Sequence, residues 1–269
     1  MNFKIIVNYY NQYFLFIIGN VRYIFCLIIL MDKMERFNFD AIFSYQLNKP
    51  DLINSKSQLR QDLFVAKLFN YKKNGYFVEF GATDGIEFSN SYLFSMHYDW
   101  KGILSEPNKT YHELLKKNRN NCNLNFDAVW VSDGDFINFH ECEAGTLSTL
   151  EGFNNSDKHS KLRENSKVYK VKTITLESLL KLFDAPKYID YLSIDTEGSE
   201  YEILKAFDFD QYNIKVITCE HNFTSNRKKI KELLNYWDFI NVLPGLSNFD
   251  DWYINKNFID EMNISFLDL

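Results

Sequence analysis

Four apolar runs of this 269-residue chain close on groups that can hold hydroxyls or move protons: Glu79, Glu106, Asp195 and the pair Glu220–His221. A carboxylate accepts hydrogen bonds from alcohols, binds hard cations such as Mg²⁺ or Mn²⁺, and takes up a proton when its surroundings raise its pKa. A histidine titrates near neutral pH and can serve as a general base. Taken singly, each such residue is more often a solvated loop group than a ligand contact. Four at the ends of successive strand-like runs point to one cleft, because open α/β sheets bind ligands beyond the carboxyl ends of their strands.

The first two acids set the ligand class. The stretch Gly75-Tyr-Phe-Val-Glu-Phe-Gly-Ala-Thr-Asp-Gly85 is an apolar run, an acid and then a small-residue turn, and Glu106 closes Gly102-Ile-Leu-Ser-Glu-Pro107 further on. In a doubly wound sheet the first turn lets backbone approach a nucleotide-like ligand, and an acid about twenty residues later receives the ribose hydroxyls. The turn has neither the spaced glycines of a pyrophosphate site nor the Gly-Lys-Ser/Thr of a phosphate loop. It favours a nucleoside without phosphates, for which S-adenosylmethionine is the candidate.

These groups need a frame. From Ser57 onward, strand-like runs alternate with amphipathic helical segments, the pattern of a mostly parallel sheet covered on both faces. The patterning predicts a helix over 61–70, strands at 76–80 and 102–106, and a helix capped by Ser89 with Leu93 and Met96 on one face. A helix capped by Asn108, with Tyr111, Leu114 and Leu115 inward, precedes a third strand over roughly 124–131. Further on come a helix capped by Thr175, strands at 188–194 and 214–220, and a Ser199/Glu202 capping box. Ile230, Leu233, Leu234 and Trp237 mark one buried helix face, and two strands follow near 239–243 and 251–255. Residues 132–166 break the rhythm with a polar, Ser- and Asn-rich stretch, read as a loop or hairpin insertion and a substrate lid.

Composition narrows the partners. The hydrophobic content of 46% suffices for one large α/β domain, and a net charge of −6 argues against a nucleic-acid substrate. Small acceptors gain weight accordingly. Cys26, Cys122, Cys142 and Cys219 lack the paired short spacing of a zinc or redox site, so free thiols in a reducing, cytoplasmic setting are expected. Residues 1–56 form an apolar extension, within which 13–18 and 24–31 are strongly apolar but separated by Gly19-Asn-Val-Arg22. An arginine near the centre of a span costs about 2.5–3.5 kcal/mol, so a packed or peripheral helix is favoured for residues 1–31 over a membrane anchor, with a translated upstream segment before Met31 or Met34 as the third reading.

The residues resemble the FkbM-type family of S-adenosylmethionine-dependent methyltransferases. The resemblance rests on Phe77-Val-Glu-Phe-Gly-Ala-Thr-Asp-Gly85, Gly102-Ile-Leu-Ser-Glu-Pro-Asn108 and Ile189-Asp-Tyr-Leu-Ser-Ile-Asp-Thr-Glu-Gly-Ser-Glu-Tyr-Glu202. It extends through Ser57-Gln-Leu-Arg-Gln-Asp-Leu-Phe64, Glu220-His-Asn222 and Asp250-Asp-Trp-Tyr253, and so covers about residues 57 to 255. It implies a class I methyltransferase (Rossmann-like) fold with a mostly parallel seven-stranded sheet, occupying residues 57–269. It also implies O-methylation of a hydroxyl on a sugar, glycan or other small molecule.

The expected cofactor contacts follow. Glu106 accepts both ribose hydroxyls, while Gly81, Ala82, Thr83, Asp84 and Gly85 flank the methionyl part with Glu79 nearby. Asn90 and Pro107 complete this set, and the adenine lies near Asp127-Ala-Val129. Methyl transfer to an alcohol then needs only positioning and a destination for the proton. His221 is the expected base, with Asp195 and Glu197 beside it. Asp195 and Glu220 could instead hold Mg²⁺ or Mn²⁺, as in metal-assisted sugar O-methyltransferases, although His221 stands where those enzymes have a further acid. Two other readings compete: a nicotinamide-dependent oxidoreductase, disfavoured by the turn's glycine spacing, and a non-catalytic S-adenosylmethionine-binding module.

Overall fold

The computed structural model describes residues 49–154 and 157–267; the apolar segment 1–31 lies outside this range, as does most of the 1–56 extension. Among the described residues no helix is long and apolar enough to cross a membrane.

The apolar runs pair into a seven-stranded sheet. Its members are β1 (Tyr76–Phe80), β2 (Lys101–Ser105), β3 (Asn123–Asn125), β8 (Tyr188–Ile194), β9 (Asn213–Glu220), β10 (Phe239–Val242) and β11 (Asp250–Asn255), ordered β10-β11-β9-β8-β1-β2-β3. Only β11 runs against the rest, pairing antiparallel with both β9 and β10. The order turns around between β1 and β8, and at that switch point the strand tips diverge and leave a crevice.

Continuous rather than alternating apolarity follows from burial of both faces. Phe77, Tyr191 and Val216 point to one side, where α2 (Gln61–Leu68) and α3 (Tyr92–His97) pack through Leu63, Phe64, Leu93 and Phe94. Val78, Leu192 and Ile217 point to the other, beneath α6 (Leu176–Leu182), α7 (Glu200–Ala206) and α8 (Asn226–Tyr236). The short helix α1 (Lys49–Asn54) already packs on this body: Asp51 accepts the Tyr98 hydroxyl at 2.5 Å and Leu52 joins the first core.

Several local expectations are corrected. The third strand is split: β3 stays in the main sheet, while β4 (Ala128–Val129) leaves it. The break falls at Asp127, whose carbonyl accepts from Ser105 Oγ and Asn125 Nδ2 in place of a ladder partner. β4 joins β5 (Phe136–Glu141), β6 (Thr149–Leu150) and β7 (Lys167–Ile174) in a second sheet ordered β4-β7-β5-β6. The insertion is therefore a hairpin extended by a long third strand. The short helix α5 (Ser160–Arg163) sits within it, and Phe139, Leu150 and Val171 form a small core of its own.

Helix starts also differ. Ser89 gives its hydroxyl to Glu79 rather than to a helix terminus, and Asn108 Oδ1 closes a turn on the Thr110 amide ahead of α4 (His112–Asn118). Met96 and Leu114 are exposed. The Ser199/Glu202 capping box is not formed; Glu200 Oε1 instead accepts from the amides of Thr196 and Gly198 at 3.0 and 2.9 Å. Thr175 does cap α6, accepting from the Ser178 amide.

Candidate active site

Gly81 brings the tip of β1 against β8. Its φ is +74°, and a Cβ there would stand 1.9 Å from the Asp195 carbonyl oxygen, so no side chain fits. Glu79 is held beside it, accepting the Asn90 amide at 2.6 Å and the hydroxyls of Ser89 and Ser91. The fully buried Arg119 braces this turn, donating to Ser89, Ser91 and the Gly85 carbonyl. Asn90 donates to Ser193 Oγ, while its Oδ1 is buried with no partner among the described residues.

At the tip of β2, Glu106 accepts the Thr83 amide on one carboxylate oxygen at 2.8 Å and the Asn108 amide on the other at 2.7 Å. The group is thus fixed from both sides, with a free lone pair on each oxygen. Burial outweighs the two amides and pushes its pKa up to about 7.

Beyond β8 and β9, Asp195, Glu197 and Glu220 bring carboxylate oxygens within 4.8 Å of one another. Three acids this close, Glu197 and Glu220 buried and Asp195 partly so, cannot all ionise unaided. Asp195 and Glu220 are hydrogen-bonded, and burial together with the neighbouring acids raises Asp195 to about 7 and Glu220 well above the usual carboxylate range. With both shifts driven first by burial, the pair holds a proton between its carboxyls, mainly on Glu220, whose pKa is raised further. Glu197 is offset only in part: burial and Asp195 raise its pKa well above the usual carboxylate range, and Arg163 opposes them. Arg163, from α5 in the insertion, donates to its Oε2 at 2.6 Å, and Asn222 donates to the same oxygen at 3.3 Å. Glu197 itself has φ +59°, and Thr149 of β6 donates to its carbonyl at 2.8 Å. The insertion therefore grips this strained turn by both backbone and side chain.

A cavity of about 310 Å³ joins these tips. Glu79, Gly81, Thr83, Asn90, Glu106, Pro107, Ala128 and Val129 line one half, and Asp195, Glu197 and Glu220 stand at the other. The insertion closes over it through residues 144–148, Lys158 and His159, and Phe223 and Phe249 line it beside Lys158. Sequence reasoning had no hold on Arg163, Thr149 or Lys158. They lie in a polar stretch without periodicity, and the sole hint is that an Asp-Thr-Glu-Gly-Ser-Glu run needs a counter-charge from elsewhere.

Four expected cofactor residues do not reach the cavity. Ala82 is buried beneath the turn, and Asp84 accepts the amides of Ile86 and Glu87, shaping it. Gly85 makes room for the Arg119 side chain, and the Asp127 carboxylate faces Lys172 at 3.6 Å. The larger correction concerns His221. Its Nδ1 accepts the Phe223 amide at 3.0 Å, which leaves Nε2 to donate to the Asp250 carbonyl at 3.0 Å. Burial lowers its pKa to about 4. With both nitrogens occupied and the ring off the cavity wall, it has no lone pair for an acceptor's proton.

Strand order, the single reversed strand and a cleft at the switch point define a class I methyltransferase fold. A family model described as Methyltransferase FkbM domain matches residues 79–253, and the chain belongs to that family. No curated protein matches it. Similar solved structures include a precorrin-6y C5,15-methyltransferase from Geobacter metallireducens GS-15, at 12% identity and TM-score 0.39 over 75% of this chain and 88% of that one. Another is the METTL16 MTase domain, at 13% identity and TM-score 0.40 over 73% and 66%. At that level of superposition the strand order, not these likenesses, carries the fold.

Proposed function

We propose that the chain is an S-adenosylmethionine-dependent O-methyltransferase acting on a hydroxyl of a sugar, glycan or other small molecule. The observation that carries this reading is one cavity with two kinds of carboxyl: Glu106 locked by backbone amides at one end, and the proton-sharing Asp195–Glu220 pair at the other. The residues fit the cofactor. Glu106 keeps two lone pairs for two ribose hydroxyls, Ala128 and Val129 offer an apolar wall for the base, and the orphaned Asn90 Oδ1 suits the amino group.

When bound, S-adenosylmethionine supplies a methyl group already activated on a sulfonium. What the protein adds is orientation and a proton acceptor. Asp195, which titrates near 7 because the hydrogen bond from Glu220 works against its burial, takes the hydroxyl proton in its ionised form as that oxygen is methylated, and Asn222 with Glu197 orients the remaining hydroxyls. A divalent cation fits less well. The oxygens are close enough, but Arg163 already offsets Glu197 and the shared proton offsets Glu220, so a metal would have to displace both.

The test is turnover to S-adenosylhomocysteine with a panel of hydroxylated acceptors. Asp195→Asn should abolish turnover while calorimetry still shows S-adenosylhomocysteine binding, and chelator should change nothing. Thermal stabilisation by NAD and not by S-adenosylhomocysteine would favour an oxidoreductase instead.

A further inference from the structure

The charges around the cavity balance with one exception. Glu197 is met by Arg163, and Asp195 and Glu220 share a proton beside the place where a sulfonium would stand. Glu106 is neutralised in part by two amides, and Glu79 by an amide and two hydroxyls. Lys158 is the sole lysine or arginine lining the cavity, and it has no carboxylate partner among the described residues. Its neighbours do not help. Asp157 is held by Arg163 at 2.9 Å, and His159 is neutral because burial lowers its pKa to about 4.

The Lys158 ammonium instead hangs over two rings, 5.5 Å from the centre of Phe223 and 6.0 Å from that of Phe249. Phe223 is half exposed, and its left-handed φ of +57° is held by the hydrogen bond its backbone N–H donates to His221 Nδ1. Two aromatic faces under an uncompensated cation, above a floor of carboxyl and amide acceptors, describe a ring with hydroxyls on one edge and a negative charge on another. We infer that the acceptor is an anionic sugar, bearing a carboxylate or phosphate that pairs with Lys158 while its ring packs on Phe223 and Phe249.

This inference rests on the methyltransferase reading and is tested apart from it. The full chain, saturated with S-adenosylhomocysteine, is titrated calorimetrically with methyl glucoside, methyl glucuronide and methyl glucoside 6-phosphate, and with the corresponding galactosides. At least one anionic sugar should bind tenfold or more tightly than its neutral parent, and whether carboxylate or phosphate does so identifies the source of the charge. Lys158→Met, at an exposed position that leaves the fold intact, should erase the difference without changing S-adenosylhomocysteine affinity. Phe223→Ala should weaken neutral and anionic sugars alike. Equal binding of charged and neutral sugars, a preference that survives Lys158→Met, or no sugar binding at all while S-adenosylhomocysteine still binds would overturn the inference and leave methyl transfer standing. Failure to bind S-adenosylhomocysteine would instead remove the reading beneath it.

Discussion

Arg163 Nη2 and Glu197 Oε2 meet at 2.6 Å with both side chains buried, and they join an inserted sheet to the turn that follows a central strand. Breaking a buried pair from one side leaves a charge without a partner and costs about 3–5 kcal/mol. Arg163→Met should destabilise the protein by that order. The double variant Arg163→Met/Glu197→Gln should regain part of the loss, since Asp157 remains unpaired. Urea unfolding of the two variants checks this; equal stability of both would mean that the pair is not coupled.

Rate should depend on pH through the Asp195–Glu220 pair. Burial, helped by the neighbouring Glu200, raises the folded pKa of Asp195 to about 7 against the hydrogen bond from Glu220, so the ionised base is lost as pH falls below that value. The turnover number at saturating cofactor and acceptor should therefore fall about tenfold per pH unit below an inflection near 7. Glu220→Ala, which removes the hydrogen bond that holds the Asp195 pKa down, should shift the inflection upward. An unmoved profile would place the base elsewhere.

Cofactor affinity has a separate pH dependence. Glu106 also titrates near 7, and its protonation converts one acceptor oxygen into a donor facing an amide N–H. Calorimetric affinity for S-adenosylhomocysteine should weaken as pH falls through 7, and Glu106→Ala should weaken it at least tenfold at pH 8, because charge-assisted hydrogen bonds contribute about 1.5–3 kcal/mol each. Unchanged affinity in that variant removes Glu106 from the ribose.

His221→Ala separates structure from chemistry. Loss of a general base lowers the turnover number by about 10²–10⁴, whereas loss of this ring frees the Phe223 amide and the Asp250 carbonyl. The expected result is a fall in stability of about 1–3 kcal/mol, a higher KM for the acceptor and a turnover number within tenfold of the parent. A collapse of turnover with KM unchanged would restore the histidine as base.

Much of the sheet was legible because its signals are local. An apolar run closing on an acid announces a parallel strand, and the tips at Glu79, Glu106, Asp195 and Glu220 do meet at one cavity. The small-residue turn around Gly81 was equally readable, since close approach to Asp195 admits nothing larger. What escaped depended on partners distant in sequence. His221 looked like a base until Asp250 and the Phe223 amide filled its two nitrogens, and Asp127 looked like an adenine contact until Lys172 drew its carboxylate aside. The single run from 124 to 131 concealed a change of sheet, because one strand pattern fits two sheets equally well.

That change of sheet leaves the insertion with its two ends side by side. β4 departs and β7 returns as parallel neighbours, joined at Ala128↔Thr173 and Val129↔Ile174, with the Gly134 amide bonded to the Thr173 carbonyl. A segment whose ends already touch can be lengthened, trimmed or exchanged at little cost in loop closure to the scaffold that holds it. The seven-stranded half can thus stay constant while the piece above it is traded for another, rather as a tool head is changed on a fixed handle. The exchange has one condition, written in the turn at Glu197: whatever replaces the insertion must bring its own cation.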